Sequence, residues 1–176
     1  MEKKLKLVVV GDSYQKFLAH YATTVFDNWA VSVQIENRKY TVSLFDTAGQ
    51  EDYAHLRTLS YPGTDVFLLC FSLVDPKSLE ACELSWMPEI RNFAGDRIPV
   101  ILVGTKYDQL EKATPESRVT LEEAQRMAHK LGCLRFVPCS SLTHHGLKQV
   151  FDDAMLASIG LLAKETEQPR QCCQML

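Results

Sequence analysis

Short runs of apolar, often β-branched residues alternate along this chain with longer segments of helical length. Residues 5–10 predict a buried first strand, and similar runs follow at residues 66–71, 100–103 and 134–137. Helix-length segments separate these later runs, as crossover connections between parallel strands require. The pattern predicts an α/β fold in which helices cover both faces of a mostly parallel sheet.

A different pattern between the first two of these runs predicts a β-hairpin. Apolar and polar residues alternate over residues 31–36, Asn37-Arg38 follows, and the alternation resumes over residues 40–44. The hairpin brings the predicted total to six strands, one of them antiparallel to the rest. Helices are predicted at residues 76–93, 120–131 and 146–159, with Thr120 as the N-cap of the second.

Length and composition favour one cytosolic domain. A chain of 176 residues is enough for a single core, so we assign residues 1–162 to the domain and residues 163–176 to a flexible tail. With 46% apolar residues, 23% charged residues and a net charge of -3, we expect a monomer without a nucleic-acid partner. Four of the six cysteines are scattered through apolar segments, which indicates a reducing compartment.

Glycine and acidic residues follow two strands at positions where a nucleotide could bind. Gly11-Asp12-Ser13 follows the first strand, the place of a phosphate-binding loop. The hexapeptide Asp46-Thr47-Ala48-Gly49-Gln50-Glu51 ends the third strand. There the Asp46 carboxylate can hold Mg²⁺ through water, the Gly49 amide can meet a terminal phosphate, and Gln50 can orient the attacking water. The alternative for the hexapeptide is a plain turn with a strand-ending aspartate.

Two further segments are suited to recognising a base. In Gly104-Thr105-Lys106-Tyr107-Asp108, the Asp108 carboxylate can accept both N–H groups on the guanine edge and reject adenine. Cys139-Ser140-Ser141-Leu142 supplies backbone amides that can contact the guanine oxygen. Because these segments follow successive strands, they are expected at the carboxyl edge of the sheet, where open α/β sheets bind ligands.

In this order, the segments resemble a small GTPase of the Rho family, within the Ras superfamily. The resemblance runs from residue 3 to residue 176, and it is closest to the cell-division-control and Rac group, with Phe45 as in the former branch. The Rho-like stretches are residues 24–28, 46–53, 59–62 and 64–67, and Trp86 with Pro88-Glu89. The resemblance implies a P-loop NTPase-like fold, GTP/GDP with Mg²⁺ as cofactor, and GTP hydrolysis.

The resemblance also assigns roles to residues before the second strand. It implies that Thr24 coordinates Mg²⁺ and that Phe17 and Tyr21 contact the guanine and the phosphate region. Residues 17–28 and 46–62 would be the two switches. The implied partners are effectors, exchange factors and dissociation inhibitors of the Rho type, in signalling to actin and cell polarity. The implied location is the cytosolic face of the plasma membrane or of endomembranes.

The phosphate loop departs from the family pattern G-x-x-x-x-G-K-[ST], whose lysine reaches the phosphates and whose hydroxyl binds Mg²⁺. Here Gly11 is followed by Asp12-Ser13-Tyr14-Gln15-Lys16-Phe17, so the second glycine and the Ser/Thr are absent. Counting back from Thr24 places Lys16 in the segment before the first switch; a displaced phosphate lysine is the alternative. Residues 109–118 are also shorter than the extra helix of Rho proteins and predict only a turn.

The departure threatens stability as well as chemistry. Roughly a dozen residues are missing after Ser13 relative to a loop-plus-helix unit, and the first helix is missing with them. Three or four buried side chains at about 1.5–3 kcal/mol each amount to roughly 5–12 kcal/mol. A domain has only about 5–15 kcal/mol in total. Three interpretations follow: a switch impaired in nucleotide binding, a non-catalytic scaffold with Rho-like surfaces, or a poorly folded product of an alternative transcript or gene model.

The last four residues, Cys173-Gln174-Met175-Leu176, match a prenylation box. A terminal leucine favours a geranylgeranyl group on Cys173. One lipid anchors a protein weakly, and the tail lacks a polybasic patch. A palmitoyl group on Cys172 is therefore the predicted second anchor. The pair His144-His145 lacks partners at ligand spacing and predicts a solvated turn.

Overall fold

One six-stranded sheet organises the part of the chain that the structure describes. The computed structural model describes residues 3–12, 26–35, 37–47 and 49–163. The strands lie in the order β2-β3-β1-β4-β5-β6. Their bounds are β1 (Lys3–Gly11), β2 (Phe26–Ile35), β3 (Arg38–Thr47), β4 (Val66–Ser72), β5 (Val100–Thr105) and β6 (Arg135–Pro138).

The pairing is parallel except at one edge. β1 pairs in parallel with β3 and β4, and β5 pairs in parallel with β4 and β6. Edge strand β2 runs antiparallel to β3, from Phe26 opposite Thr47 to Ile35 opposite Arg38. The ends of β1, β3, β4, β5 and β6 therefore meet at one edge of the sheet, which we call the carboxyl edge; the opposite edge is the amino edge.

Five α-helices accompany the strands within the described residues. The 3₁₀ turn Glu51–Tyr53 leads into α1 (Ala54–Thr58). α2 (Pro76–Ala81), the π-helical turn Cys82–Trp86 and α3 (Met87–Ala94) follow one another directly. The π turn is understandable because Pro88 has no amide for a regular bond, and the amide of Met87 donates to Cys82 instead, five residues back. α4 (Leu121–Lys130) and α5 (Leu147–Ser158) complete the set.

Two helix starts have clear local causes. Thr120 and Glu123 form a reciprocal capping box at the start of α4, as the sequence predicts for Thr120. α5 starts after Gly146, whose φ is 65° and where an added Cβ would lie 2.1 Å from the carbonyl oxygen of Pro138. Only glycine fits this close approach, which fixes the start of α5 against the carboxyl end of β6.

The core has two parts, one on each face of the sheet. The first cluster lies under α2, α3 and α4 and includes Phe67, Phe71 and Ile90, all at most 1% exposed. The second cluster lies under α5 and includes Leu5, Leu7 and Val150, all at most 3% exposed. Helices on both faces of a mostly parallel sheet are the layered arrangement that the sequence pattern predicts.

The predicted fold class is confirmed: the sheet has six strands, one of them antiparallel, and helices flank it. Residues 109–118 form no α-helix, only the end of the 3₁₀ turn Tyr107–Gln109 and the turn Pro115–Ser117. The predicted loss of the first helix and the predicted flexible tail concern residues outside those described, apart from Ala163 of the tail. Among the described helices, none has the length and apolarity needed to cross a bilayer.

Candidate nucleotide site

The predicted site residues that the structure describes lie at the carboxyl edge of the sheet. Gly11 ends β1 and Asp12 follows it, and Asp46 lies at the end of β3. Thr105 ends β5, and Ser140 follows β6 by two positions. Parallel strands bring these five positions to one edge, although up to 129 positions separate them in the sequence.

The base-reading half of this edge is held by hydrogen bonds between its two loops. The Ser140 hydroxyl donates to Asp108 Oδ1 at 2.5 Å, and Ser140 itself is fully buried. The same hydroxyl oxygen accepts from the Thr143 amide at 3.1 Å. Ser140 therefore fixes the Asp108 carboxylate and the turn of residues 140–143 at once. Its neighbours Ser141 and Leu142 are exposed.

Backbone contacts reinforce the same half. The amides of Cys139 and Tyr107 donate to Gly104 O at 2.7 Å and to Cys139 O at 3.1 Å, so the loops after β5 and β6 are joined by main chain. Lys106 adopts the left-handed conformation with φ 60°, which makes the turn sharp. His145 stacks on Tyr107 with ring centroids 4.5 Å apart. The predicted solvated histidine turn is thus exposed but also packs against this loop.

The phosphate side begins with a tightly constrained glycine. Gly11 has φ 141°, and an added Cβ would lie 2.0 Å from the carbonyl oxygen of Cys70 on β4. The next residue, Asp12, accepts a hydrogen bond at Oδ1 from Trp86 Nε1 at 3.0 Å. The first carboxylate after β1 therefore contacts the helical segment of residues 76–94. Trp86 is only 4% exposed, so this bond lies largely within the protein.

The end of β3 supplies the remaining phosphate-side groups that the structure describes. The Thr47 hydroxyl donates to Val9 O at 2.7 Å and so joins the ends of β3 and β1. Asp46 and Gly49 are half-buried, and the Gln50 side chain is exposed beyond them. A carboxylate, a glycine amide and a solvent-exposed carboxamide in this order can meet a metal ion, a phosphate and a water.

A buried cluster of side chains anchors the segment after Gln50. Arg57 Nε and Nη2 donate to Glu89 Oε1 and Oε2 at 2.9 and 2.7 Å, and Tyr61 Oη donates to Glu89 Oε1 at 2.5 Å. The Arg57 guanidinium lies 4.5 Å from the Trp86 ring centre. Arg57 Nη1 also donates to Gln50 O at 3.3 Å. We call Arg57, Tyr61, Trp86 and Glu89 the anchor cluster; it connects Gln50 to Asp12.

Burial and the contacts with Glu89 shift the pKa values of Arg57 and Tyr61 in the anchor cluster. Burial acts to lower the pKa of Arg57, but the hydrogen bond and charge of Glu89 outweigh it and raise that pKa. Burial, together with Glu89, raises the pKa of Tyr61 far above its ordinary value. Arg57 is therefore charged and Tyr61 neutral across the physiological range. Burial raises the pKa of the Cys70 thiol to about 12, which excludes it as a nucleophile at neutral pH.

The residues described fit a nucleotide-held Mg²⁺ only in part. Asp46 offers the single carboxylate such sites use, with phosphates and waters completing the octahedron. No group of three or more His, Cys, Asp or Glu side chains suited to a metal occurs in the described part of the chain, and a nucleotide-held ion needs none. The motif's hydroxyl ligand has no counterpart in the sequence after Gly11, since Ser13 is followed by Tyr14 and Gln15.

Most of the predicted site residues are described and lie at the carboxyl edge; the others are not among the described residues. The described ones at the carboxyl edge are Gly11, Asp12, Asp46, Gly49, Gln50, Thr105, Lys106, Asp108, Ser140, Ser141 and Leu142. Ser13, Phe17, Tyr21, Thr24, Cys172 and Cys173 lie outside the described residues. The Thr105 hydroxyl donates a hydrogen bond to Phe71 O at 2.8 Å, so this side chain joins β5 to β4.

Sequence reasoning missed the anchor cluster. Trp86 and Glu89 belong to stretches that resemble the Rho family, but their function was not predicted. No spacing rule links Arg57 to Glu89, which lies 32 positions later on another helix. The one available signal was an arginine within a mostly apolar segment, which indicates either an exposed charge or a buried pair.

A comparison with known protein families agrees with a nucleotide site at the carboxyl edge of the sheet. Residues 6–159 match the Ras family. The match starts within β1 and ends just after α5, so it includes most of β1, the other five strands and every described part of the carboxyl edge. Because the match covers most of the 176 residues, the chain belongs to the Ras family.

Proposed function

We propose that this chain is a Rho-type guanine-nucleotide switch that recognises the base more firmly than it holds the phosphates. Ras-family domains generally bind guanine nucleotide with Mg²⁺ and act as GTPase switches, and this chain has such a domain. The Rho-type assignment rests on the resemblance of residues 24–28 and 46–53. The weakened phosphate grip rests on the missing second glycine and Ser/Thr of the loop after Gly11.

The observation that carries the proposal is the Asp108–Ser140 hydrogen bond of 2.5 Å. A carboxylate that must accept two N–H groups from a guanine has to be held before the base arrives, because ordering it on binding would cost free energy. Ser140 supplies that hold from the neighbouring loop. The proposed base specificity therefore depends on residues that are all present.

On the phosphate side, the proposed roles follow the positions of the side chains. Bound Mg²⁺ would neutralise charge on the phosphates, with Asp46 and Thr24 as its protein ligands. The Gly49 amide would face the terminal phosphate, and Gln50, which is exposed, would orient a water toward it. Gly11, Asp12 and Ser13 would line the β-phosphate, and Phe17 and Tyr21 the base and the phosphate region.

The cellular part of the proposal comes from the resemblance and from the tail. We assign the chain to signalling toward the actin cytoskeleton and cell polarity, with effectors, exchange factors and dissociation inhibitors of the Rho type as partners. The proposed location is the cytosolic face of the plasma membrane or endomembranes, through a geranylgeranyl group on Cys173 and an acyl group on Cys172. Replacing Cys173 with Ser should move the protein from the membrane fraction to the soluble fraction.

A thermal-shift titration of the purified chain tests nucleotide binding directly. With Mg²⁺ present, GDP and GTP should raise the melting temperature and ATP should not, since a ligand that binds only the folded state stabilises it. No shift with either guanine nucleotide would refute the switch. A shift with ATP of equal size would refute the role of Asp108.

The variant Asp108→Asn sharpens that test. An amide presents one acceptor and one donor, which matches the xanthine edge, where a carbonyl replaces the amino group of guanine. We expect the variant to lose stabilisation by GDP and gain it from xanthosine diphosphate. The matched control is Asp96→Asn, an exposed aspartate outside the site, which should respond to GDP like the original chain.

One observation favours the second candidate, a non-catalytic scaffold that presents Rho-like surfaces. The anchor cluster holds residues 50–61 by contacts within the chain, so this segment has a fixed position without help from a phosphate. If the scaffold is correct, an effector of the Rho type should bind the purified chain equally well with GDP, with GTP and after nucleotide removal. A cooperative melt without ligand would rule out the poorly folded product for either candidate.

A further inference from the structure

Edge strand β2 carries an apolar side that the described helices leave uncovered. Trp29 and Val31 are 62% and 58% exposed, whereas Val33 and Ile35 continue the same alternation but are half-buried and pack against the second core cluster. Trp29, Val31 and Val33 lie opposite Leu44, Val42 and Tyr40 of β3, which belong to the second core cluster. Opposite residues of an antiparallel pair lie on the same face of a sheet, so this strip shares its face with α5. We call residues 29, 31, 33 and 35 the β2 strip.

The exposure of Trp29 and Val31 within the β2 strip is unusual for this position. Side chains on the core face of a sheet are normally covered by a helix or a second sheet. α5 contacts β1, β4 and β5, and has no comparable contact with β2 or β3. Adjacent apolar residues exposed together mark a surface that meets a partner or a membrane.

A basic groove borders the β2 strip at the amino edge of the sheet. It has a volume of about 970 Å³. Lys3, Arg38 and Lys39 line it together with Val33 and Tyr40. None of its described lining residues is acidic, although the whole chain carries a net charge of -3. The described part of its lining is thus positively charged, which favours an anionic partner.

The end of the described chain lies toward the same edge. α5 starts at the carboxyl edge beside Pro138 and has 12 residues, so it extends about 18 Å back toward the amino edge. Ile159 and Leu162 pack against the second core cluster after the helix ends. The described chain therefore ends on the face of the sheet that α5 covers, toward the edge where the basic groove lies.

We propose that the β2 strip and the basic groove together form a surface that docks on an anionic lipid bilayer. Trp29 and Val31 would enter the interfacial region, and Lys3, Arg38 and Lys39 would contact the anionic headgroups. A bilayer fits both halves of the surface, because it offers an apolar interior beneath a negative plane. The surface supplies an electrostatic membrane signal, which the tail lacks because it has no polybasic patch. It requires neither bound nucleotide nor the proposed prenyl group.

Vesicle binding by the purified, unlipidated full-length chain tests the proposal. The chain should sediment with vesicles containing phosphatidylserine, and this binding should weaken as the salt concentration rises. It should not bind vesicles of pure phosphatidylcholine. Intrinsic fluorescence adds a local probe, since the chain has two tryptophans and only Trp29 is exposed. Anionic vesicles should shift its emission to the blue, and Trp29→Phe should abolish the shift.

Charge reversal provides the matched pair of variants. Lys3→Glu, Arg38→Glu and Lys39→Glu together should weaken binding to anionic vesicles about a hundredfold, at about fivefold for each cation. The control reverses Lys77, Lys112 and Arg118, which are also exposed and lie outside the groove, with the same change in net charge. Equal loss in both triple variants, or equal binding to neutral vesicles, would overturn the proposal.

A second copy of the chain is the competing occupant of the β2 strip. In that case the chain would sediment as a dimer without vesicles, and Trp29→Gln would convert it to a monomer. Analytical ultracentrifugation of both forms, beside the exposed-site control Leu84→Gln, distinguishes the two occupants. A Trp29-dependent dimer that fails to bind anionic vesicles would refute membrane docking.

Discussion

The two halves of the carboxyl edge are held in different ways. On the base side, the loops after β5 and β6 bond to each other through Ser140, Asp108 and adjacent main chain. On the phosphate side, Asp12 and Gln50 are positioned through the anchor cluster, whose members come from two distant helical segments. The base side is therefore a local assembly, whereas the phosphate side depends on long-range side-chain contacts. Damage to one half should leave the other intact.

Breaking the anchor cluster should have the largest effect. Arg57→Met leaves Glu89 without its buried partner, and the loss of such a partner costs about 3–5 kcal/mol. Because the Glu89 side chain is 20% exposed, we expect the lower end, about 3 kcal/mol. Urea unfolding monitored by circular dichroism measures this cost. The preference for GDP over ADP should not change.

The chain offers a matched surface pair as the control. Lys130 contacts Glu83, and their side chains are 63% and 31% exposed. Lys130→Met should therefore cost only about 0–1 kcal/mol. If Arg57→Met were as mild as Lys130→Met, the anchor cluster would not hold the phosphate side. If it altered the choice of base, the two halves would not be separate.

Removing the Ser140 hydroxyl should damage the base side at a smaller cost. Ser140→Ala leaves the Thr143 amide without its acceptor and the Asp108 carboxylate without the donor from Ser140. We expect about 1–3 kcal/mol of lost stability and about a tenfold loss in GDP affinity, measured by unfolding and by calorimetry. Ser141→Ala, which keeps the adjacent amide and changes only an exposed side chain, should match the original chain. An unchanged affinity in Ser140→Ala would remove the main support for the proposed base recognition.

The sequence predicted what depends on local pattern. All six strands were predicted because apolar runs and alternation are visible in short windows, and the predicted helix over residues 76–93 is present. The π turn within it was not predicted, since its cause is one missing amide at Pro88. At the site, strand order brings Asp108 and Ser140 to the same edge, which motif positions anticipate.

What the sequence did not show is pairing at a distance. Arg57, Tyr61 and Trp86 find Glu89 and Asp12 only once two helical segments pack on the same face. The sequence does not reveal the exposure of Val31 either, because Val31 and Val42 belong to the same pattern of alternating apolar and polar residues. In the structure, Val31 is 58% and Val42 8% exposed. The difference depends on which helix covers which strand.

Thr120→Ala should have the smallest effect of the three variants, and it provides a reference for Arg57→Met and Ser140→Ala. Thr120→Ala removes the capping box of α4, which touches neither half of the carboxyl edge, and should cost about 1 kcal/mol. Hydrogen bonds from Thr120 lower the pKa of Glu123 in the folded state, so the contribution is present above the ordinary glutamate pKa and is lost as pH falls through the lowered value. The cost of Thr120→Ala should therefore shrink in acid.

The control for the cap is Thr114→Ala, since the Thr114 hydroxyl donates to the Ser117 hydroxyl at an exposed site and caps no amide of the turn Pro115–Ser117. GDP affinity should be unchanged in both threonine variants. If Thr120→Ala weakened GDP binding as much as Ser140→Ala does, a general loss of stability would explain both results. If Thr120→Ala lowers stability but leaves GDP affinity unchanged, lost stability alone does not weaken GDP binding. The effect of Ser140→Ala would then arise from Asp108 itself, and the base side would act independently of the rest of the domain.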